Sequence, residues 1–236
     1  MRSIIVAAAL LAVVWAAPAA AQQAVGGGLS VSGGVGAATD YRFRGLSRSG
    51  GDPTVQADLT IDHSSGLYGG FFASTLGDEA RRGDGELSLF AGYTREIATA
   101  TNIDVGAVSY AYPGAQAFAG ATDYAEAYAS LSHTLGPVTG QVGAYYAPEQ
   151  DALGGEDNLY LFADLSGAIP FTPIEATARV GRSDGGLAPG GDYTDWRIGL
   201  AARRGPARFG IDYVDTDLPE GFGGDATLVL SVRLSF

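Results

Sequence analysis

The chain lacks cysteine and lysine altogether and has little charge and little histidine. Its 236 residues include 2 His and 17% charged residues, against about 25% in an average chain, and every one of the 14 basic residues is arginine. Without cysteine, a disulfide framework, a thiolate metal site and a cysteine nucleophile are excluded. A formal net charge of -12 without basic clusters argues against nucleic-acid binding. The 36 glycines follow no Gly-X-Y period, which excludes collagen.

A hydrophobic run long enough to form a transmembrane helix is also missing. The apolar run Ile4–Trp15 is shorter than the roughly 20 residues that a membrane-spanning helix needs. Arg2 precedes this run and Ala19-Ala20-Ala21 follows it, which is the pattern of a secretory signal peptide. The sequence therefore predicts a signal peptide over residues 1–21 and one exported domain over residues 22–236.

The exported part contains alternating apolar and polar residues, with a period of two. From Leu29 to Arg44 the alternation is continuous and places Tyr41 and Phe43 on the same face as Leu29. Similar alternation or weaker apolar runs cover residues 55–62, 67–76, 86–94, 102–112, 124–131, 138–147, 159–166, 174–180, 195–200, 205–214 and 225–236. The pattern predicts an all-β fold of about twelve antiparallel strands, and an even strand number suits a closed up-and-down transmembrane barrel.

The predicted connections alternate in length. The short ones span residues 63–66, 98–101, 134–137, 169–173 and 203–205, and the longer ones span 45–52, 77–84, 148–156, 184–191 and 215–224. Short periplasmic turns at one end and longer extracellular loops at the other are typical of bacterial outer-membrane barrels. A soluble β-sandwich has no reason to separate its loop lengths in this way.

The C-terminal strand fits the same interpretation. Leu228, Leu230, Val232, Leu234 and Phe236 form one apolar face, which we expect to contact outer-membrane lipid and lipopolysaccharide. A terminal aromatic residue is the feature that the barrel assembly machinery recognises, so Phe236 is the predicted contact with that machinery. The predicted location is the bacterial outer membrane.

Charged residues occupy the predicted inward-facing positions, where Asp40 lies near the mouth. The predicted pore-lining and selectivity residues are Arg42, Arg44, Asp58, Glu86, Glu126, Tyr128, Arg179, Asp195, Arg197 and Asp212. Rings of charged side chains are how pores select ions, and this favours passive diffusion of small polar solutes or ions through a narrow lumen. The alternative is a non-conducting barrel, whose arginine–carboxylate pairs fill the interior and whose acidic loops mediate surface interactions. The acidic loops favour cations, whereas Arg42 and Arg44 could capture a phosphate or carboxylate.

No constellation of residues predicts catalysis, a cofactor or a metal site. His63 with Ser64, or His133 with Ser132, would be the candidates for a lipid hydrolase, but both pairs fall beside the predicted periplasmic turns, away from the outer leaflet. Acidic residues cluster in two long loops, at Glu149, Asp151, Glu156 and Asp157 and at Asp215, Asp217, Glu220 and Asp225. They could bind Ca²⁺ or Mg²⁺, although a solvated acidic rim is the favoured interpretation.

Several segments resemble a known family along nearly the whole exported chain. The opening segment contains Asp40-Tyr41-Arg42-Phe43-Arg44-Gly45, Gly51-Asp52-Pro53, Gln56 and Ser65-Gly66-Leu67-Tyr68. Later segments include Glu86, Gly92-Tyr93-Thr94, Ile103-Asp104-Val105-Gly106, Tyr112-Pro113-Gly114, Tyr124-x-Glu126-x-Tyr128, Tyr193-x-Asp195-Trp196, Asp212-Tyr213 and Thr216-Asp217. Together they resemble the TorF family of porins of proteobacterial outer membranes. The resemblance implies an outer-membrane barrel with a pore, and it does not specify the solute.

Overall fold

The computed structural model describes residues 23–79 and 82–236, and they form a closed barrel of twelve antiparallel strands. The predicted signal peptide lies outside the described residues. The strands are β1 (Gln23–Gly26), β2 (Leu29–Ala38), β3 (Arg42–Phe43), β4 (Leu46–Ser47), β5 (Thr54–His63), β6 (Leu67–Glu79), β7 (Gly83–Ala98), β8 (Thr101–Ala111), β9 (Tyr124–Leu135), β10 (Val138–Gln150), β11 (Glu156–Ala168), β12 (Ile174–Gly185), β13 (Asp192–Arg204), β14 (Ala207–Thr216) and β15 (Thr227–Ser235).

The barrel wall consists of β2 and β5 to β15, each paired with its neighbours in antiparallel register. The wall closes where β2 pairs with both β15 and β5. Strand β1 folds back on the start of β2 as a short extension, and β3 and β4 form a separate small hairpin. The predicted fold class is confirmed.

The first predicted strand, residues 29–44, extends further than the strand in the structure, which ends at Ala38. Strand β2 leaves the wall at Ala38, and residues 39–53 form a loop that contains the β3–β4 hairpin. The Asp40 carboxylate accepts hydrogen bonds from the hydroxyls of Ser47 and Ser49, which draws the chain into a compact turn. Arg44 and Gly45 both have positive φ and make the tight reversal between β3 and β4. The alternation from Thr39 to Arg44 therefore belongs to an inserted loop.

The two ends of the barrel differ in the length of their connections, as predicted. One end, here called the short-turn end, has connections at 64–66, 99–100, 136–137, 169–173 and 205–206. The other, the long-loop end, has connections at 39–53, 112–123, 151–155, 186–191 and 217–226. The predicted long connection 77–84 is an exception, because β6 continues to Glu79 and β7 begins at Gly83. Additional pairing between these two strands extends the wall into the predicted loop.

The barrel is apolar outside and polar inside. Large hydrophobic side chains on its outer face are exposed, among them Val35, Leu89 and Val142, whereas Glu86, Glu126 and Asp195 on the inner face are buried. The predicted outer face of the last strand is confirmed for Leu228, Leu230, Leu234 and Phe236. This arrangement suits a wall that is surrounded by lipid. Among the described residues, no helix has the length and apolar character needed to cross a membrane.

Candidate functional site

The lumen has two chemically different walls. Tyrosine and phenylalanine side chains line β6 to β11, where the inward residues include Tyr68, Phe72, Phe90, Tyr110, Tyr124, Tyr128, Tyr145, Tyr160 and Phe162. The arginines at inward positions of the barrel strands lie instead on β12 to β15, and they are Arg179, Arg197, Arg203, Arg208 and Arg233. The lumen is thus divided into an aromatic wall and an arginine wall.

Glycines allow the aromatic side chains to lie flat along the wall. A Cβ atom on Gly106 would lie 2.4 Å from the Tyr128 hydroxyl, and a Cβ on Gly181 would lie 2.1 Å from the Tyr160 hydroxyl. Both distances are shorter than van der Waals contact, so only glycine leaves room for each ring.

The hydroxyl groups of the aromatic wall contact one another and a carboxylate. The Tyr68 hydroxyl lies 2.6 Å from the Tyr128 hydroxyl, and it donates a hydrogen bond to Asp104 Oδ1 at 2.6 Å.

The loop 39–53 lies inside the barrel at the long-loop end. Tyr41 and Phe43, which alternation places on the lipid-facing side, are buried in the lumen: Phe43 packs edge-on against Tyr110 and Tyr41 against Phe72. The predicted inward position of Arg42 and Arg44 implies that Tyr41 and Phe43 face outward, and the structure shows that this is wrong. Ring contacts inside the lumen thus bury these two side chains away from water.

Arg44 connects the loop to the aromatic wall. Its Nη2 atom donates to Glu126 Oε2 at 2.6 Å, and both side chains are almost completely buried. The guanidinium carbon lies 4.4 Å from the Tyr160 ring centroid and 4.8 Å from that of Phe43, within the range of cation–π attraction. Burial alone would lower the pKa of Arg44, but the charge and hydrogen bond of Glu126, together with Tyr110 and Tyr124, outweigh burial and the pKa is raised. The Tyr193 hydroxyl donates to the Arg44 carbonyl oxygen at 2.8 Å, which fixes the backbone as well.

Arg48 makes a second, similar connection. It donates to Glu86 Oε2 at 3.1 Å and to the hydroxyls of Tyr112 and Tyr124. The Tyr41 hydroxyl donates to the other Glu86 oxygen at 2.9 Å. Burial and, after it, the Glu86 charge raise the pKa of Tyr41, so the phenol stays protonated as a hydrogen-bond donor. Arg48 and Tyr41 of the loop thus share one buried carboxylate of β7.

Arg42 ties the inserted loop to the neighbouring loop 217–226. Its Nε atom donates to Asp40 Oδ2 at 2.5 Å, and Nη1 donates to the carbonyl oxygens of Gly45, Gly223 and Asp225, each at 3.0 Å. The inserted loop therefore contacts β7, β9, β13 and the connection before β15. These contacts on several sides of the lumen narrow the barrel at its long-loop end.

Below the inserted loop, the charged side chains are more exposed to water. The Arg44 and Arg48 side chains are 6% and 5% exposed, whereas those of Arg197, Arg208 and Arg233 are 19%, 29% and 23% exposed. Arg179 binds Asp164 through two nitrogens, at 2.6 and 2.5 Å, and Arg233 binds both oxygens of Asp58. The part of the lumen towards the short-turn end is thus charged and accessible to water.

The structure places the predicted wall residues on the inner face, where all the charged ones except Asp195 form ion pairs. Two predicted residues meet in the pair Arg44–Glu126 and two in Arg197–Asp212. The others contact residues outside the predicted set: Asp58 contacts Arg233, Glu86 contacts Arg48, Arg179 contacts Asp164, Asp195 accepts from Tyr160, and Tyr128 contacts Tyr68. Arg42 and Arg44 belong to the inserted loop, with Arg42 in its short strand β3, so their prediction as residues of the first strand of the wall is wrong.

Arg48 is the main site residue that the sequence analysis misses. It stands in the segment Leu46-Ser47-Arg48-Ser49-Gly50-Gly51, whose composition is that of a solvent-exposed turn. Asp164 and Arg233 stand at inward positions of the alternating pattern, so the sequence alone would allow both to be identified as lumen residues.

The two histidines lie at the short-turn end, as predicted. Nδ1 of His63 lies 2.8 Å from Ser65 Oγ, and Nδ1 of His133 lies 2.8 Å from Thr101 Oγ1. Neither of these partners is the serine, Ser64 or Ser132, considered for a hydrolase. Within residues 23–79 and 82–236, no group of three or more His, Cys, Asp or Glu side chains is arranged to hold a metal ion.

Comparison with known proteins identifies similar folds. A family model described as "Bacterial protein of unknown function (Gcw_chp)" matches residues 21–233. The NanC porin is 10% identical with a TM-score of 0.58, covering 87% of this chain and 98% of that chain. The KdgM porin is 6% identical with a TM-score of 0.58, covering 87% and 99%. The KdgM porin in complex with disordered oligogalacturonate is also 6% identical, with a TM-score of 0.59 and coverage of 87% and 98%. A comparison with curated proteins found no match.

Proposed function

This chain belongs to the Gcw_chp family of bacterial proteins of unknown function, and we propose that it is an outer-membrane channel for passive diffusion of small hydrophilic solutes or ions. The observation that carries the proposal is the inverted polarity of a closed barrel. Its outer face is apolar, and its interior below the inserted loop holds charged side chains that remain accessible to water. A barrel interior of this kind suits polar solutes.

The inserted loop 39–53 gives the proposed channel its narrowest part. The loop is held by two buried arginine–carboxylate pairs and by a hydrogen bond from Tyr193, so its position relative to the wall is fixed. A fixed loop in a twelve-stranded barrel would restrict passage to small molecules. The described fold is shared with the NanC and KdgM porins, and the KdgM porin forms a complex with disordered oligogalacturonate, a polar solute.

Several further proposals accompany the channel function. The resemblance of the opening segment Asp40–Gly45 to the TorF family supports a pore, and the signal peptide predicted over residues 1–21 supports export. The apolar outer face suits contact with membrane lipid and lipopolysaccharide, and Phe236 at the end of the exposed C-terminal face suits recognition by the barrel assembly machinery. We propose no catalytic role for the barrel.

The second candidate function is a non-conducting barrel that acts through its loops. The observation that favours it is the complete burial of loop and wall side chains at the long-loop end, where Tyr41, Tyr110 and Glu126 are each about 1% exposed. A loop packed this tightly could seal the lumen rather than narrow it. In that case the exposed acidic loops would be the functional surface.

Planar-bilayer recording separates these two functions. The exported chain, refolded in detergent and verified as folded by its heat-dependent gel migration, is added to a bilayer and currents are recorded at fixed voltage. Discrete conductance steps support the channel. If the folded protein gives no current at any protein concentration, the channel proposal fails and the sealed barrel is favoured.

A further inference from the structure

The arginine wall contains two guanidinium groups, those of Arg197 and Arg208, whose carboxylate partners lie beyond hydrogen-bonding distance. Arg179 and Arg197 lie directly opposite each other on β12 and β13, and Arg208 lies opposite Arg233 on β14 and β15. Like charges directly opposite in a sheet are unfavourable unless anions compensate them. The wall therefore depends on carboxylates placed between its arginines.

Of these four arginines, Arg179 and Arg233 have carboxylate partners at hydrogen-bonding distance. Asp164 binds Arg179 through both of its oxygens, and Asp58 binds Arg233 through both of its oxygens. Such two-point contacts satisfy both the charge and the planar donor geometry of a guanidinium group. They show the geometry that an arginine–carboxylate contact takes in this lumen.

Arg197 and Arg208 differ from these two. The nearest carboxylate oxygens lie 3.7 Å away in both cases, on Asp212 for Arg197 and on Glu175 for Arg208, which is beyond hydrogen-bonding distance. The Arg197 Nε atom is buried and has no hydrogen-bond partner among the described residues. Since 19% and 29% of these two side chains are exposed, both side chains are in contact with the solvent of the lumen.

From this geometry we propose that Arg197 and Arg208 are successive binding positions for the carboxylate group of a small organic anion, such as an acidic sugar, that passes through the lumen. Arg197 lies near the middle of β13, and Arg208 lies near the start of β14 at the short-turn end. A carboxylate passing along this wall would make a two-point contact with the terminal nitrogens of each guanidinium group, which the protein's own carboxylates approach only to 3.7 Å. This inference rests on the proposed channel function and assigns its solute class.

The acidic loops at the long-loop end do not prevent a carboxylate from binding at Arg197 and Arg208, which lie deeper in the lumen. The field of an exposed charge is screened within about 8 Å at physiological ionic strength. Arg197 and Arg208 lie below the inserted loop and away from the acidic loops, so the charges of the wall itself, including Asp212 and Glu175, determine which ions bind there. The proposal therefore predicts a channel that favours anions despite its net charge of -12.

The test uses single-channel recording with potassium chloride gradients and glucuronate as the probe. In the wild type we expect a reversal potential shifted towards anions and a concentration-dependent block of chloride current by glucuronate. In the Arg197→Gln/Arg208→Gln double variant, the anion preference should fall and the half-blocking glucuronate concentration should rise about tenfold, the effect expected for losing one charge-assisted contact. Arg182→Gln is the matched control, because Arg182 is an exposed arginine of β12 at the long-loop end.

A conservative variant keeps the test independent of whether the double variant folds. Arg197→Lys keeps the charge and loses the planar donor geometry, so it should retain the anion preference and weaken the block by glucuronate. A cation-selective wild type, or glucuronate block that is equal in wild type and folded Arg197→Lys, would overturn the inference while leaving the channel itself intact. Absence of any current from folded wild-type protein would overturn the channel function and this inference together.

Discussion

Arg44 of the inserted loop and Glu126 of β9 form a buried ion pair, with 2.6 Å between Nη2 and Oε2. Arg44 adopts this position with a φ of 50°, which is unusual for a residue other than glycine. The contacts with Glu126, Tyr160 and Tyr193 offset that backbone cost. Removal of either partner would leave an uncompensated charge in an environment that excludes water, so the pair should control where the loop lies.

Glu126→Gln is therefore expected to release the loop 39–53 from the wall. Breaking a buried pair by removing one partner typically costs about 3–5 kcal/mol. The loop contains Arg42, Arg44 and Arg48, so trypsin should cleave it only after it leaves the lumen. Mass spectrometry of trypsin-treated, folded protein should detect cleavage after Arg44 or Arg48 in the variant and not in the wild type.

Glu149→Gln provides the control, because Glu149 is an exposed carboxylate near the end of β10. It should leave the loop protected from trypsin. Equal protection in wild type and Glu126→Gln would mean that the Arg44–Glu126 pair does not hold the loop.

A second prediction concerns the glycine on which the loop rests. A Cβ atom on Gly77 would lie 2.2 Å from the Ser49 carbonyl oxygen, so Gly77→Ala must displace the loop. Gly85→Ala on the adjacent strand introduces the same methyl group, whose nearest neighbour is 3.9 Å away. We expect faster tryptic cleavage of the loop in Gly77→Ala only, with both variants keeping the wild-type far-ultraviolet circular dichroism spectrum. Identical cleavage rates in the two variants would contradict the packing described for Ser49.

A third prediction compares two arginine–aspartate pairs that differ in exposure. Arg233 on β15 reaches across β2 to Asp58 on β5 and so connects the strands on either side of the barrel closure. Asp58→Asn should lower the free energy of unfolding by about 1.5–3 kcal/mol, the range for hydrogen bonds to charged groups. Asp192→Asn removes the exposed partner of Arg182 and should cost at most about 1 kcal/mol. Urea titration in detergent measures both, and an equal loss in the two variants would refute the role assigned to Asp58.

The strand pattern was predictable because lipid on one side and a polar lumen on the other impose a period of two on each strand. The length of the connections was predictable from composition, because glycines and acidic residues mark where the alternation stops. The exception is 77–84, where pairing of β6 with β7 extends the wall. Alternation did not reveal the end of β2 at Ala38. The rings of Tyr41 and Phe43 can be buried against the aromatic wall inside the barrel as well as against lipid outside it, so alternation alone does not determine which side they occupy.

The pairing of charges inside the lumen was less predictable. Alternation predicts which face of the sheet a side chain occupies. An ion pair also depends on the register between strands that are distant in sequence, as in Arg233 with Asp58. The inserted loop adds contacts that no strand register contains. Arg48 with Glu86 is the clearest case, because Arg48 stands in a turn-like segment and pairs with a residue of another strand.

Conduction through the lumen is the central claim, and the absence of native cysteine allows a direct test. Thr177 and Ala178 are neighbours on β12, with Thr177 facing the lumen and Ala178 exposed on the outer face. Single-channel currents of Thr177→Cys and Ala178→Cys are recorded before and after addition of a bulky, water-soluble methanethiosulfonate reagent. The account predicts that the reagent reduces the current of Thr177→Cys and leaves that of Ala178→Cys unchanged. Currents that the reagent does not alter in Thr177→Cys, although mass spectrometry confirms the modification, would contradict a conduction pathway through the barrel.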